Sequence, residues 1–114
     1  MESEVKIPAA AATLEGILTL PQDAKALILF VHGSGSSRHS PRNQFVARTL
    51  NDFGLGTLLF DLLTREEEAL DLQTRQYRFD IGLLVRRLVK ALAWAKQHQP
   101  TRTLRFGLFH FQPG

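Results

Sequence analysis

Leu27-Ile28-Leu29-Phe30-Val31 is an unbroken apolar run that stops at His32, gives way to Gly33-Ser34-Gly35-Ser36-Ser37, and is followed by Ser40-Pro41 at the head of a new periodic segment. A short continuous apolar run bounded by turn residues predicts a strand covered on both faces, as in a central parallel sheet. Ser40 can cap a helix and Pro41 can occupy its first position. The stretch therefore predicts strand, tight loop and helix start. Gly33 and Gly35 permit positive φ and a close approach to the main chain, and the small residues between them leave amide N–H groups uncovered. Such a loop can hold a negatively charged oxygen.

The rest of the chain supplies the setting for that strand. Val5 and Ile7 alternate with Glu4 and Lys6, and Leu14, Gly16, Leu18 and Leu20 alternate again, which predicts an antiparallel N-terminal pair. Pro21 to Ala24 reads as a turn. After the loop, Phe45, Val46, Leu50 and Phe53 predict the apolar face of a helix that Gly54 stops. Thr57 to Phe60 is a further short strand, ending at Asp61. Leu62 to Gln76 is charged and predicts a long surface connection with one helical turn, in which Glu66 to Glu68 mark a solvated face. Arg78 to Gln99 is a helix, with Ile81, Leu84, Val85, Leu88, Leu92 and Ala95 recurring at three- and four-residue steps. Pro100 ends it, and Leu104 to Phe109 is the last strand. Phe79 and Trp94 read as packing or partner contacts. Strands alternating with helices predict an α/β fold: a mostly parallel sheet of about five strands with an antiparallel N-terminal pair and helices on its faces. The glycine loop then lies at the C-terminal end of a central strand, where open α/β sheets bind ligands.

A length of 114 residues suits one domain, and 44% hydrophobic with 22% charged residues is globular composition. The chain has no cysteine, so neither a disulfide framework nor a thiolate metal site is expected, and no metal ligand set stands out. The first residues, Met-Glu-Ser-Glu, lack a basic segment followed by an apolar one, and no apolar run approaches a membrane span. A soluble, unexported, cytoplasmic chain with no membrane partner is expected. The net charge of +3 is spread among interleaved acidic residues, which argues against a nucleic-acid surface.

What could the loop bind? A dinucleotide fingerprint requires a third glycine where Arg38 stands, and a nucleotide-triphosphate loop requires a glycine and lysine that are absent. The remaining reading is an oxyanion hole, in which a backbone N–H after a strand stabilises a tetrahedral intermediate of acyl transfer. On the run from His32 through Gly33, Ser34, Gly35 and Arg38 to Asn43, the strand Gly54 to Asp61 and the order of elements, the sequence resembles the α/β-hydrolase superfamily, in its dienelactone-hydrolase-like branch. The resemblance implies hydrolysis of ester, lactone or other acyl substrates without a cofactor. It implies that Ser34 gives the oxyanion N–H, with Gly33 and Gly35 supporting the turn.

The resemblance covers only the N-terminal part of that fold. In the family the strand matching Leu104 to Phe109 runs into a nucleophile elbow, Gly-x-Ser-x-Gly, with the acid and histidine of the triad farther on. Here the strand is followed by His110-Phe111-Gln112-Pro113-Gly114, with no serine or cysteine after Thr103 and no acid after Asp80. A chain inactive alone is the expectation. The alternative is a noncatalytic remnant or binding module using the His32 to Arg38 loop or its open sheet edge.

An improvised triad from Ser34, Ser36, Ser37 or Ser40 with His32 or His39 and Asp61 is nominally available, but triad chemistry depends on geometry that composition does not supply. The structural readings weigh more. The serines keep the loop compact, His32 shapes it, and Asp61 orders it through hydrogen bonds. Arg38 reads equally as an anchor for a substrate carboxylate or phosphate and as a solvated loop residue. His110 reads as a disordered terminal residue. The last strand, left without its outer neighbour, predicts either self-association through the Leu104 to Phe109 edge or a second chain that completes the sheet.

Overall fold

The computed structural model describes residues 1–31 and 38–110. Eight elements follow in order: β1 (Glu2–Ala9), β2 (Ala12–Thr19), β3 (Ala26–Val31), α1 (Pro41–Asp52), β4 (Gly56–Phe60), α2 (Arg65–Thr74), α3 (Ile81–Gln97) and β5 (Arg105–His110). The strands form one sheet in the order β1-β2-β4-β3-β5. The pairs β1/β2 and β2/β4 are antiparallel, and β3 runs parallel to both β4 and β5. The expected mixed α/β sheet with an antiparallel entry is what the chain forms.

Strand parity decides which side chains each helix covers. Leu27 and Leu29 of β3, Leu58 and Phe60 of β4, Leu14 and Leu18 of β2 and Ile7 of β1 share one face and pack under Ala91 and Ala95 of α3. The small alanines let that helix settle close to the sheet. On the opposite face Phe30 and Leu59 meet Ala47 of α1, and the Phe30 ring lies 4.9 Å from that of Phe109. Because β3 and β4 contribute to both faces, every residue of β4 is buried.

Several boundaries and faces differ from the sequence reading. Helix α1 begins as expected, with Ser40 as its N-cap and Pro41 at N1, and Gly54 follows it at φ +86°. Its inward face is Asn43 and Ala47 with Val46 and Leu50, whereas Phe45 is 64% and Phe53 80% exposed. A four-residue repeat through small side chains brings the helix nearer the sheet than a phenylalanine face would. Helix α3 starts at Ile81, capped by Asp80, and leaves Ile81 and Val85 in solvent. Thr101, fully buried, donates its hydroxyl to the Ala95 carbonyl at 2.6 Å and closes that helix.

The charged connection from Leu62 onward contains a ten-residue helix, α2, instead of a single turn. It has almost no apolar face, so periodicity does not signal it. A capping box does: the Thr64 hydroxyl accepts from the Glu67 amide at 3.2 Å, and the Glu67 carboxylate accepts from the Thr64 amide at 2.8 Å. Glu67 is not solvated, since Arg87 of α3 grips both its oxygens at 2.5 and 2.7 Å and also donates to the Leu62 carbonyl. The last strand is shifted by one residue, so His110 is the end of β5 and its Nδ1 lies 3.2 Å from the Val31 carbonyl oxygen. Trp94 packs partly against the core and stacks on His98 at 4.4 Å, while Phe79 is exposed.

Candidate functional site

Because β3 and β4 are parallel neighbours in the register Phe30↔Leu59, they end together at the C-terminal edge of the sheet, where Asp61 directly follows β4. On its other side Asp61 abuts β2: the register Gly16↔Phe60 continues one step, and the Asp61 amide donates to the Glu15 carbonyl at 3.0 Å. Two carboxylates, Glu15 and Asp61, are thus cross-strand neighbours. Like charges in that relation repel. Arg38 resolves the conflict by bridging them. Its guanidinium pairs with Asp61 and, at 2.6 Å, with Glu15, while its backbone amide donates to Asp61 Oδ1 at 2.7 Å.

The segment returning from the loop is held from the helix side as well. Gln44 of α1 donates its side-chain amide to the Arg38 carbonyl at 3.2 Å, and Ser40 Oγ accepts from the Asn43 amide. Asp61 is 8% exposed, so its carboxylate works in a mostly dry setting. A charge-assisted amide contact there is stronger than its neutral counterpart. Of the site residues expected from sequence, Arg38 and Asp61 are brought together in this way; His32, Gly33, Ser34 and Gly35 lie outside the described residues.

A cleft of about 730 Å³ opens beside this cluster, walled by Thr13 and Glu15, by Arg38, His39 and Asp61, and by the first turn of α2. Its wall on the α2 side is set by the Glu67–Arg87 pair. The Arg87 hydrogen bonds hold the Glu67 carboxyl below its ordinary range, outweighing the upward push of burial, and the Arg87 guanidinium is in turn driven higher. A carboxyl so lowered is fixed as an anion and is unsuited to general-acid work near neutral pH. Farther along, burial pushes the Asp71 carboxyl up, but the Arg78 and Tyr77 amides and the Arg78 guanidinium together hold it below the usual range. That carboxylate fastens the turn between α2 and α3. Among the described residues no group of His, Cys, Asp or Glu is arranged to hold a metal ion, and no helix is long and apolar enough to cross a membrane.

Sequence reasoning missed Glu15, Glu67, Arg87 and Asp71. Thr64-x-x-Glu67 was the available signal for one of them. Glu15 and Arg87 owe their partners to sheet order and to helix docking, which no local pattern encodes, and Asp71 bonds to Tyr77 and Arg78 in the turn that follows its helix.

The chemistry open to the described part of the site is anchoring. Asp61 fixes the backbone at Arg38, and Arg38 has its charge compensated by two carboxylates. A substrate carboxylate or phosphate would have to compete with both for that guanidinium.

No family model matches the chain. Two curated relatives from Mycobacterium tuberculosis, strains CDC 1551 and H37Rv, each named as a candidate phosphoribosyl transferase, are 42% identical over 113 residues, and the chain spans only 25% of their length. Among solved structures, a dienelactone hydrolase from Anabaena variabilis matches all of this chain at TM-score 0.94 and 49% identity, with 53% of that protein covered. An α/β serine hydrolase without lid from Xanthomonas campestris matches 97% of the chain at TM-score 0.73 and 18% identity, over 50% of its own length, which shows the fold alone. The five-stranded sheet, the placement of its three helices and 49% identity to one such hydrolase agree: the chain has an α/β-hydrolase fold and is similar to a dienelactone hydrolase over about half of that protein's length.

Proposed function

We propose that this chain carries the oxyanion-forming part of an acyl hydrolase acting on ester or lactone substrates, and that it is inactive until a nucleophile elbow, triad acid and triad histidine are supplied from residues beyond these 114. The observation that carries the reading is the clamp at the C-terminal edge of the sheet, where Asp61 holds the Arg38 amide and thereby one end of the loop that follows β3. In this reading the Ser34 amide is the oxyanion donor, Gly33 and Gly35 shape the turn, and His32 and Arg38 line the approach. Preorganised donors of this kind act because their orientation is settled before charge develops.

The test has two arms. The chain alone is assayed on an activated short-chain aryl ester with fluorophosphonate labelling; no turnover above background and no labelled serine is expected. The chain is then joined in frame to the remaining part of the Anabaena variabilis hydrolase, and the chimera should turn over the ester. A Ser34→Pro change, which removes the loop amide, should cut its kcat by about 10²-fold or more. Turnover by the chain alone, or a chimera indifferent to Ser34→Pro, overturns the proposal.

The mycobacterial name favours a second setting for the same fold. The matched residues are a quarter of those relatives but about half of the hydrolase, so the relatives are about twice as long as the hydrolase. In this second reading the 114 residues are a hydrolase-like unit of a longer phosphoribosyl transferase.

A further inference from the structure

The flank of the molecule beside β1 holds a second depression, between the tip of the β1–β2 hairpin and the first half of α3. β1 and β5 are opposite ends of the sheet, so residues that extend the sheet beyond β5 do so across its full width from this flank. The groove has a volume of about 270 Å³ and a floor made by Ala9, Ala10, Ala11 and Leu83. Ala9 pairs with Ala12, so Ala10 and Ala11 form a two-residue hairpin loop, and Ala10 is held at φ +57°. Glycine or asparagine adopts that conformation at the least cost. Alanine there gives up some stability and presents methyl groups in place of the usual polar turn residues. Two cations edge this floor. Arg86 and Lys90, one turn apart on α3, are exposed, and neither makes a hydrogen bond or ion pair among the described residues. Gly82 leaves room for the Arg86 head, since a Cβ there would stand 3.1 Å from Nη1. The neighbouring charges are engaged elsewhere: Arg87 is held by Glu67, and Asp80 accepts from the Leu83 amide as the cap of α3.

We propose that this groove binds a medium-chain aliphatic carboxylate, with its hydrocarbon body on the alanine and Leu83 floor and its head between Arg86 and Lys90. Small-ligand sites combine an apolar surface with a few placed polar groups, and here the polar groups carry one sign of charge. Charge-assisted hydrogen bonds from a guanidinium and an ammonium orient a carboxylate, while the arginine and lysine stems add to the apolar contact. Size sets the length of the body. A cavity of about 150 Å³ accommodates one benzene ring, so this groove takes a chain of roughly eight carbons. An alkyl cation would meet Arg86 and Lys90 as like charges, and an uncharged chain would gain only the floor. The proposal is independent of the acyl-hydrolase reading.

The test titrates the full chain, isotopically labelled for NMR, with octanoate and with three comparison molecules: octanol, octylammonium and acetate. Octanoate should bind saturably and at least about tenfold tighter than each of the three, with affinity falling as salt rises. The amides of Ala9, Ala10, Ala11 and Leu83 should shift. Arg86→Gln combined with Lys90→Gln should weaken octanoate at least about tenfold and leave octanol unchanged, with the thermal midpoint little moved because both side chains are exposed. Ala11→Glu, on the hairpin wall, offers those cations a tethered carboxylate and should abolish octanoate binding without altering α3. That variant keeps the test decisive if the double change fails to fold. Octanol binding as tightly as octanoate, or octanoate binding untouched by both changes, overturns the proposal. So do shifts centred on β5 instead of the groove, which would make the binding a general property of apolar surface.

Discussion

The sheet has two outer strands, and they are built for different neighbours. On β1, Glu2, Glu4, Lys6 and Pro8 alternate with Val5, Ile7 and Ala9, so one face carries charge and a proline while the other joins the core under α3. Charged residues and proline discourage pairing with a further strand. On β5 the sequence Phe106-Gly107-Leu108-Phe109 has no such protection and reads like an interior strand. The contrast teaches that a strand's place in the sheet does not define its design. One outer strand turns charge and a proline to its outward face, and the other carries an apolar run through Phe106, Leu108 and Phe109.

The largest effect should come from breaking the well-covered side. Arg87→Ala leaves Glu67 partly buried without its cation and frees the Leu62 carbonyl, and should destabilise the fold by about 3–5 kcal/mol, read from urea unfolding. A matched pair of leucine truncations tests the contrast directly. Leu29→Ala, in the fully buried centre, should cost about 3 kcal/mol, and Leu108→Ala, on the open strand, less than about 1. Similar costs would mean that β5 is covered in solution.

Between the edges sits the Glu15–Arg38–Asp61 bridge. Arg38→Ala should cost about 2 kcal/mol, and adding Glu15→Gln should return part of it by removing one of the two adjacent carboxylates. Acid should act on the α2 side. Glu67 and Asp71 are both held below their ordinary range, so the unfolded chain binds more protons than the folded one. Their contribution is complete above the unfolded values, about 4, and is lost as pH falls through the lower folded values. Urea midpoints between neutral and acid pH should fall in that window, and Glu67→Gln should flatten the slope. The smallest change in stability but the clearest change in behaviour is expected from Glu4→Val with Lys6→Val. Stripping the charge from β1 should produce concentration-dependent association by sedimentation, with the unfolding midpoint nearly unmoved.

Much of this architecture was legible from residues alone, and what was not has a common physical cause. The apolar run of β3, the Ser40-Pro41 helix start and the alternation of β1 and β2 are local patterns, and they place the elements correctly. Phe45 and Phe53 misled because the helix face was chosen by closeness of approach, which favoured Asn43 and Ala47. Helix α2 was invisible to periodicity because its stability rests on a cap and on Arg87, not on an apolar stripe. At the candidate site Arg38 and Asp61 were singled out from sequence, whereas Glu15 enters only because β2 pairs with β4, a contact between distant parts of the chain.

That dependence on distant parts bears on the order of unfolding. Arg38 closes onto Asp61 and Glu15 across 23 residues in each direction, and its binding place does not exist until β2 and β4 are in register. The clamp therefore depends on the pairing of β2 with β4 and should be released when that pairing loosens. A mild destabilisation along β2 or β4 should release Arg38 from Asp61 and Glu15 before the chain as a whole unfolds.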